Sequence, residues 1–167
     1  MEMRKNGFTL IEMMIVVSIL GIIAVVGSGA FFSILRGSTK TKTLQMVKQN
    51  GDYAISVMER MIRNARALTS PTVNSTVTSI TIKNPDGKET TFSCGGTPAR
   101  IASNGASLLS SEVKVNDCNI FEVTVGQPEI RPAVVKINFN LSPVVSSTRP
   151  EEQATVNFQT TVTLRNY

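Results

Sequence analysis

Few residues of this 167-residue chain have the right type and spacing to do chemistry. Glu12 is a lone carboxylate at the entrance of an apolar stretch, 13–35, that holds no charge. A carboxylate there must find a cation or a hydrogen-bond donor, because an ionised group in hydrocarbon is costly. Just before it come Arg4, Lys5 and Gly7, a short basic leader ending in a small residue. Cys94 and Cys118 are the only thiols. Two cysteines cannot supply a four-thiolate zinc site, and the chain has no histidine. That excludes Ser-His-Asp and Cys-His nucleophile systems and the commonest metal ligand. Neither an enzyme nor a cofactor or metal site is therefore expected, and no catalytic residue is nominated.

The elements that position these residues follow from hydropathy. A run of about 20 apolar residues spans the hydrocarbon core of a bilayer as a helix, and 13–35 meets that length. A secretory signal peptide would have a shorter apolar core followed by a small-residue cleavage site. Here the small residue comes first, and Gly27-Ser28-Gly29-Ala30 is only a weak substitute for such a site. The order implies removal of a short leader, with the apolar helix retained.

Lys5-Asn6-Gly7-Phe8-Thr9-Leu10-Ile11-Glu12, read with the apolar run behind it, resembles the leader and cleavage motif of type IV prepilins and type II secretion pseudopilins. The resemblance covers roughly the first 35 residues. It implies that a prepilin peptidase cuts after Gly7 and methylates the amine of Phe8, and that Glu12 is the assembly glutamate. It also implies a structural filament subunit, with other pilins and a membrane assembly platform as partners. Gly21 matches a position bordering a segment that melts on assembly. Gly29 stands where many major pilins have proline, which favours a minor pilin or a pseudopilin. Neither Gly21 and Gly27 nor Gly27 and Gly29 has GxxxG spacing.

The leader motif implies N-terminus inside and the large domain outside the cytoplasmic membrane, then a periplasmic or extracellular filament. Charge counting points the other way. Arg36, Lys40, Lys42 and Lys48 follow the apolar run and outnumber Arg4 and Lys5, whereas basic residues concentrate on cytoplasmic flanks. These four, with Arg60, Arg63 and Arg66, read as a solvated helix face. A nucleic-acid footprint is the sharper alternative, weakened by the absence of tryptophan and the presence of only two tyrosines.

From 35 to 68 apolar residues recur at Leu44, Val47, Ala54, Ile55, Met58, Met61, Ile62, Ala65 and Leu68. Those spacings predict an amphipathic continuation of the helix, stopped by Ser70-Pro71, with Gly37 and Gly51 as places to bend. A continuous helix over 8–68 would measure roughly 90 Å. After Pro71 the texture becomes Thr-, Val- and Asn-rich with alternation of period two. Candidate strands are 76–83, 89–93, 99–103, 119–125, 133–141 and 154–164, with Asn84-Pro85-Asp86-Gly87 as a turn. Gln127-Pro128, Ser142-Pro143 and Arg149-Pro150 read as breakers.

Cys94 and Cys118 lie in loop-like surroundings on the exported side. A disulfide suits an oxidising compartment and would contribute roughly 3–4 kcal/mol on a loop-entropy estimate; two free thiols are the alternative. The expected fold class is α+β: a leader over 1–7, a membrane and assembly helix over 8–35, its amphipathic continuation over 36–70, and a β-rich domain over 71–167 with one antiparallel sheet. A rival reading is a signal-anchored membrane protein whose β domain binds a ligand.

Overall fold

The computed structural model describes residues 7–126, 131–144 and 153–165. The leader residues Arg4, Lys5 and Asn6 and the expected breakers Gln127-Pro128 and Arg149-Pro150 lie outside the described residues. The chain divides into two compact units, Met1–Thr39 and Lys40–Tyr167.

One helix, α1, runs over Leu10–Asn64. Its first part is long and apolar enough to cross a membrane, and every described residue through Lys42 is exposed. Ser18 and Ser28 donate their hydroxyls to the carbonyls of Met14 and Ala24, at 2.8 and 2.7 Å. That removes the cost of taking an unpartnered hydroxyl into an apolar medium. Gly37 and Gly51 sit within the helix and do not end it.

Among its described residues the second unit contains the remainder of α1 and ten strands. They are β1 (Ala67–Ser70), β2 (Ser75–Val77), β3 (Ser79–Lys83), β4 (Glu89–Gly95), β5 (Arg100–Ser103), β6 (Ala106–Ser107), β7 (Val113–Val115), β8 (Phe121–Thr124), β9 (Val134–Pro143) and β10 (Val156–Thr163). All pairings are antiparallel. The strands form two five-stranded sheets: β1-β3-β4-β5-β6, and β10-β9-β8-β2 with β7 on β9.

Alternation decides which way each side chain faces. In β10, Phe158 and Val162 are buried while Asn157, Gln159, Thr161 and Thr163 are exposed, as the period of two predicts. Asn84-Pro85-Asp86-Gly87 makes the β3–β4 turn. The Gly87 amide donates to the Asn84 carbonyl at 3.0 Å, and Gly87 adopts φ 84°, a conformation that strongly favours glycine.

Four sequence expectations are corrected. The helix ends at Asn64, not at Ser70, because the next segment pairs with β3 in register Ala67↔Lys83 and Leu68↔Ile82; sheet pairing overrides the continuing apolar period. The stretch 76–83 is two strands, one in each sheet, so one expected sheet becomes two. Ser142-Pro143 does not break β9: Pro143 is its last residue, opposite Val113, an end position that proline tolerates. Cys94 lies within β4, not in a loop.

The core is one buried cluster shared by α1 and both sheets. α1 contributes Val47, Gly51, Ala54, Met58 and Ile62, at intervals of three and four that keep one stripe facing inward. Of the other expected stripe residues, Ala65 is also buried, Ile55, Met61 and Leu68 are half-buried, and Leu44 is exposed. Gly51 packs against the second sheet. A Cβ built there would overlap the ring of Phe158, which stacks on Phe139 at 5.4 Å. Asn50 adds a polar tie, its Oδ1 accepting the Ser110 amide at 2.8 Å. Cys94 and Cys118 form a disulfide, Cα atoms 5.2 Å apart, joining the first sheet to the segment leading into β8.

Candidate processing and assembly site

The residues around the expected cleavage point form a helix start. Gly7, Phe8 and Thr9 are irregular, and α1 begins at Leu10. This makes Thr9 the N-cap and Glu12 the third helical residue, the spacing of a capping box. The contacts follow that pattern. The Glu12 amide donates to Thr9 Oγ1 at 3.3 Å, and the Thr9 amide donates to Glu12 Oε2 at 3.4 Å. Thr9 Oγ1 also lies 3.5 Å from the same carboxylate oxygen. These are long bonds between exposed groups, so they hold the carboxylate loosely. The positive end of the helix dipole adds to the attraction.

Gly7, Phe8 and Glu12 thus fall within one short stretch of exposed residues. Phe8 is 80 % exposed and Gly7 has nothing within 4 Å of a built Cβ. The sequence signal of this capping role is Thr-x-x-Glu ahead of an apolar run. A lone charge beside an apolar run masks that signal.

From Met13 to Phe32 α1 offers only apolar side chains, glycines and the two hydroxyls already bonded to the helix. Met14, Val17, Leu20, Val25 and Phe31 are all exposed, with the Phe31 and Phe32 rings edge to face at 6.1 Å. Elsewhere the described residues contain no group of three or more His, Cys, Asp or Glu side chains able to hold a metal. The cysteines, brought together as a disulfide, leave no free thiol.

An apolar helix leading into a disulfide-bonded, two-sheet domain defines an α+β protein of pilin-like arrangement. Comparison with known families sharpens this class: residues 3–28 match the family model described as the prokaryotic N-terminal methylation motif. That motif is the signature of type IV pilins and pseudopilins, and it spans Gly7, Phe8 and Glu12. No curated protein and no solved structure matches the chain.

Proposed function

We propose that this chain is a structural subunit, a minor pilin or pseudopilin, of a type IV pilus or type II secretion-like filament. In this reading a prepilin peptidase cuts after Gly7 and methylates the Phe8 amine. The helix anchors the precursor with its N-terminus inside and the β domain outside, and subunits then polymerise through their apolar helices. The observation that carries the reading is the methylation motif set at the start of a helix whose apolar surface is exposed all round. Such a surface far exceeds the patch of a few hundred Å² that soluble monomers tolerate. Lipid covers it in the precursor and neighbouring helices cover it in a fibre.

Glu12 links the two states. Cleavage removes Arg4 and Lys5 and leaves the Phe8 amine as the nearest new cation. In a staggered bundle a neighbour's amine can pair with Glu12 in low dielectric, where the attraction is far stronger than in water. The weak capping contacts of the free chain give way to that pair at little cost.

Two substitutions test this. Glu12→Leu removes both charge and cap; Glu12→Gln removes the charge and keeps a side chain that can cap. Both variants are expected to insert and to be processed, yet to be missing from sheared fibres. Either variant entering fibres at the wild-type level would contradict the pairing. Assembly of Glu12→Gln but not Glu12→Leu would mean that capping, not charge, governs entry.

A further inference from the structure

Between positions 13 and 51 the sequence carries Arg36, Lys40, Lys42 and Lys48 and no carboxylate. All four cations are exposed, and none makes an ion pair among the described residues. The inward stripe of α1 begins only at Val47, so Lys40 and Lys42 occupy a neck of helix outside the core. Like charges four residues apart, as at Arg36 and Lys40, repel along a helix. Such a bare run calls for counter-charge from outside the chain.

We propose that Lys40 and Lys42, with Arg36 ahead of them, bind the anionic headgroups of the membrane that α1 crosses. This rests on the reading of 13–35 as membrane-spanning. At 1.5 Å per residue, Lys40 lies about 8 Å and Lys42 about 10 Å beyond Leu35. The headgroup layer on each side of a bilayer is roughly 5–8 Å deep. Lysine side chains reach back along a helix to place their ammonium groups in that layer. Lys48, about 9 Å further on, stands clear of it.

The arrangement round the helix favours lipid over a macromolecular partner. Arg36 and Lys40 are i and i+4 on one face, whereas Lys42 lies about 200° round from Lys40 at 3.6 residues per turn. A protein or a nucleic-acid duplex would meet one of these faces. A headgroup layer surrounds the helix and meets both. The stretch 33–52 contains no aromatic residue on which a base could stack. Under the proposed topology this basic flank is exported, so it offsets the usual cytoplasmic preference of cations by engaging the outer leaflet.

The test uses the full chain reconstituted in phosphatidylcholine vesicles, with and without phosphatidylglycerol. A membrane-impermeant acylating reagent is added outside and lysine labelling is mapped by mass spectrometry. Lys83 and Lys88, exposed at the β3–β4 hairpin, provide the internal reference for outward-facing molecules. Labelling of Lys40 and Lys42 relative to that reference should fall about fivefold with the anionic lipid, the effect of one basic residue near a charged surface. It should recover at high salt, which shortens the Debye length, and Lys48 should change less. Equal labelling with and without phosphatidylglycerol would overturn the proposal. So would protection that appears only when duplex DNA is added. A lipid-phase carbene probe reports separately on 13–35. If that stretch is labelled while Lys40 and Lys42 ignore the lipid, this inference alone fails. If it is unlabelled, the membrane reading fails with it.

Discussion

The two ends of α1 are one secondary structure written for two different surroundings. In the first unit, apolar side chains point in every direction, none is buried among the described residues, and the glycines Gly21, Gly27 and Gly29 have nothing within 4 Å of a built Cβ. In the second unit, only a stripe of the helix is apolar, and Val47, Ala54, Met58 and Ile62 in it are fully buried. There glycine has a fixed neighbour, Gly51 against Phe158. The comparison teaches where each half gets its stability. The stripe is held by its own domain. The all-round apolar half is left to lipid or to other helices.

The comparison breaks most visibly with a large side chain from each half. Met58→Ala should destabilise the β domain by about 2–5 kcal/mol, the range for emptying a buried methionine site. Met14→Ala, at an exposed position, should change the same unfolding free energy by less than about 0.5 kcal/mol, as exposed substitutions usually do. Both are measured by denaturant unfolding of the full chain in detergent. Equal effects would mean that the two halves are not differently supported.

Glycine gives a smaller and sharper contrast. Gly51→Ala puts a methyl group where the Phe158 ring now sits, so the ring and its stacked partner Phe139 must move. Overpacking of this kind costs typically about 1–3 kcal/mol. Gly27→Ala meets open space and replaces a poor helix former, so it should leave the domain unchanged and favour the helix by up to about 1 kcal/mol. Thermal unfolding followed by near-ultraviolet and far-ultraviolet circular dichroism separates the two effects. A neutral Gly51→Ala would show that the helix–sheet contact is looser than the built Cβ implies.

How far the sequence disclosed these features depends on the range of the physics involved. The processing stretch was legible because its signal is local: charge, glycine, aromatic, carboxylate and apolar run follow one another within a few turns. The alternation of β10 and the Asn84-Pro85-Asp86-Gly87 turn were legible for the same reason. The end of α1 was not, since Ala65 and Leu68 keep the helical period while the choice between helix and strand is made by pairing with distant Lys83 and Ile82. The division of 76–83 between two sheets was likewise hidden. Nothing in Ser75 to Lys83 announces that β2 pairs with β8 while β3 pairs with β4. Gly51 looked like a bend because its partner, Phe158, lies more than a hundred residues away in the sequence.

The disulfide shows the same limit in milder form. Two cysteines in an exported domain suggested the bridge, yet their local texture suggested two loops. Cys94 instead sits opposite Ile101 in the first sheet, so the bridge ties a strand, not a loop, to the approach to β8.

Intact-mass measurement of the chain isolated from its native host, with the prepilin peptidase present, bears most directly on the proposal that this is a processed filament subunit. The mature species should begin at Phe8 and carry one additional methyl group on its amine. A mature species that retains 1–7 would contradict the filament-subunit reading and favour a signal-anchored protein.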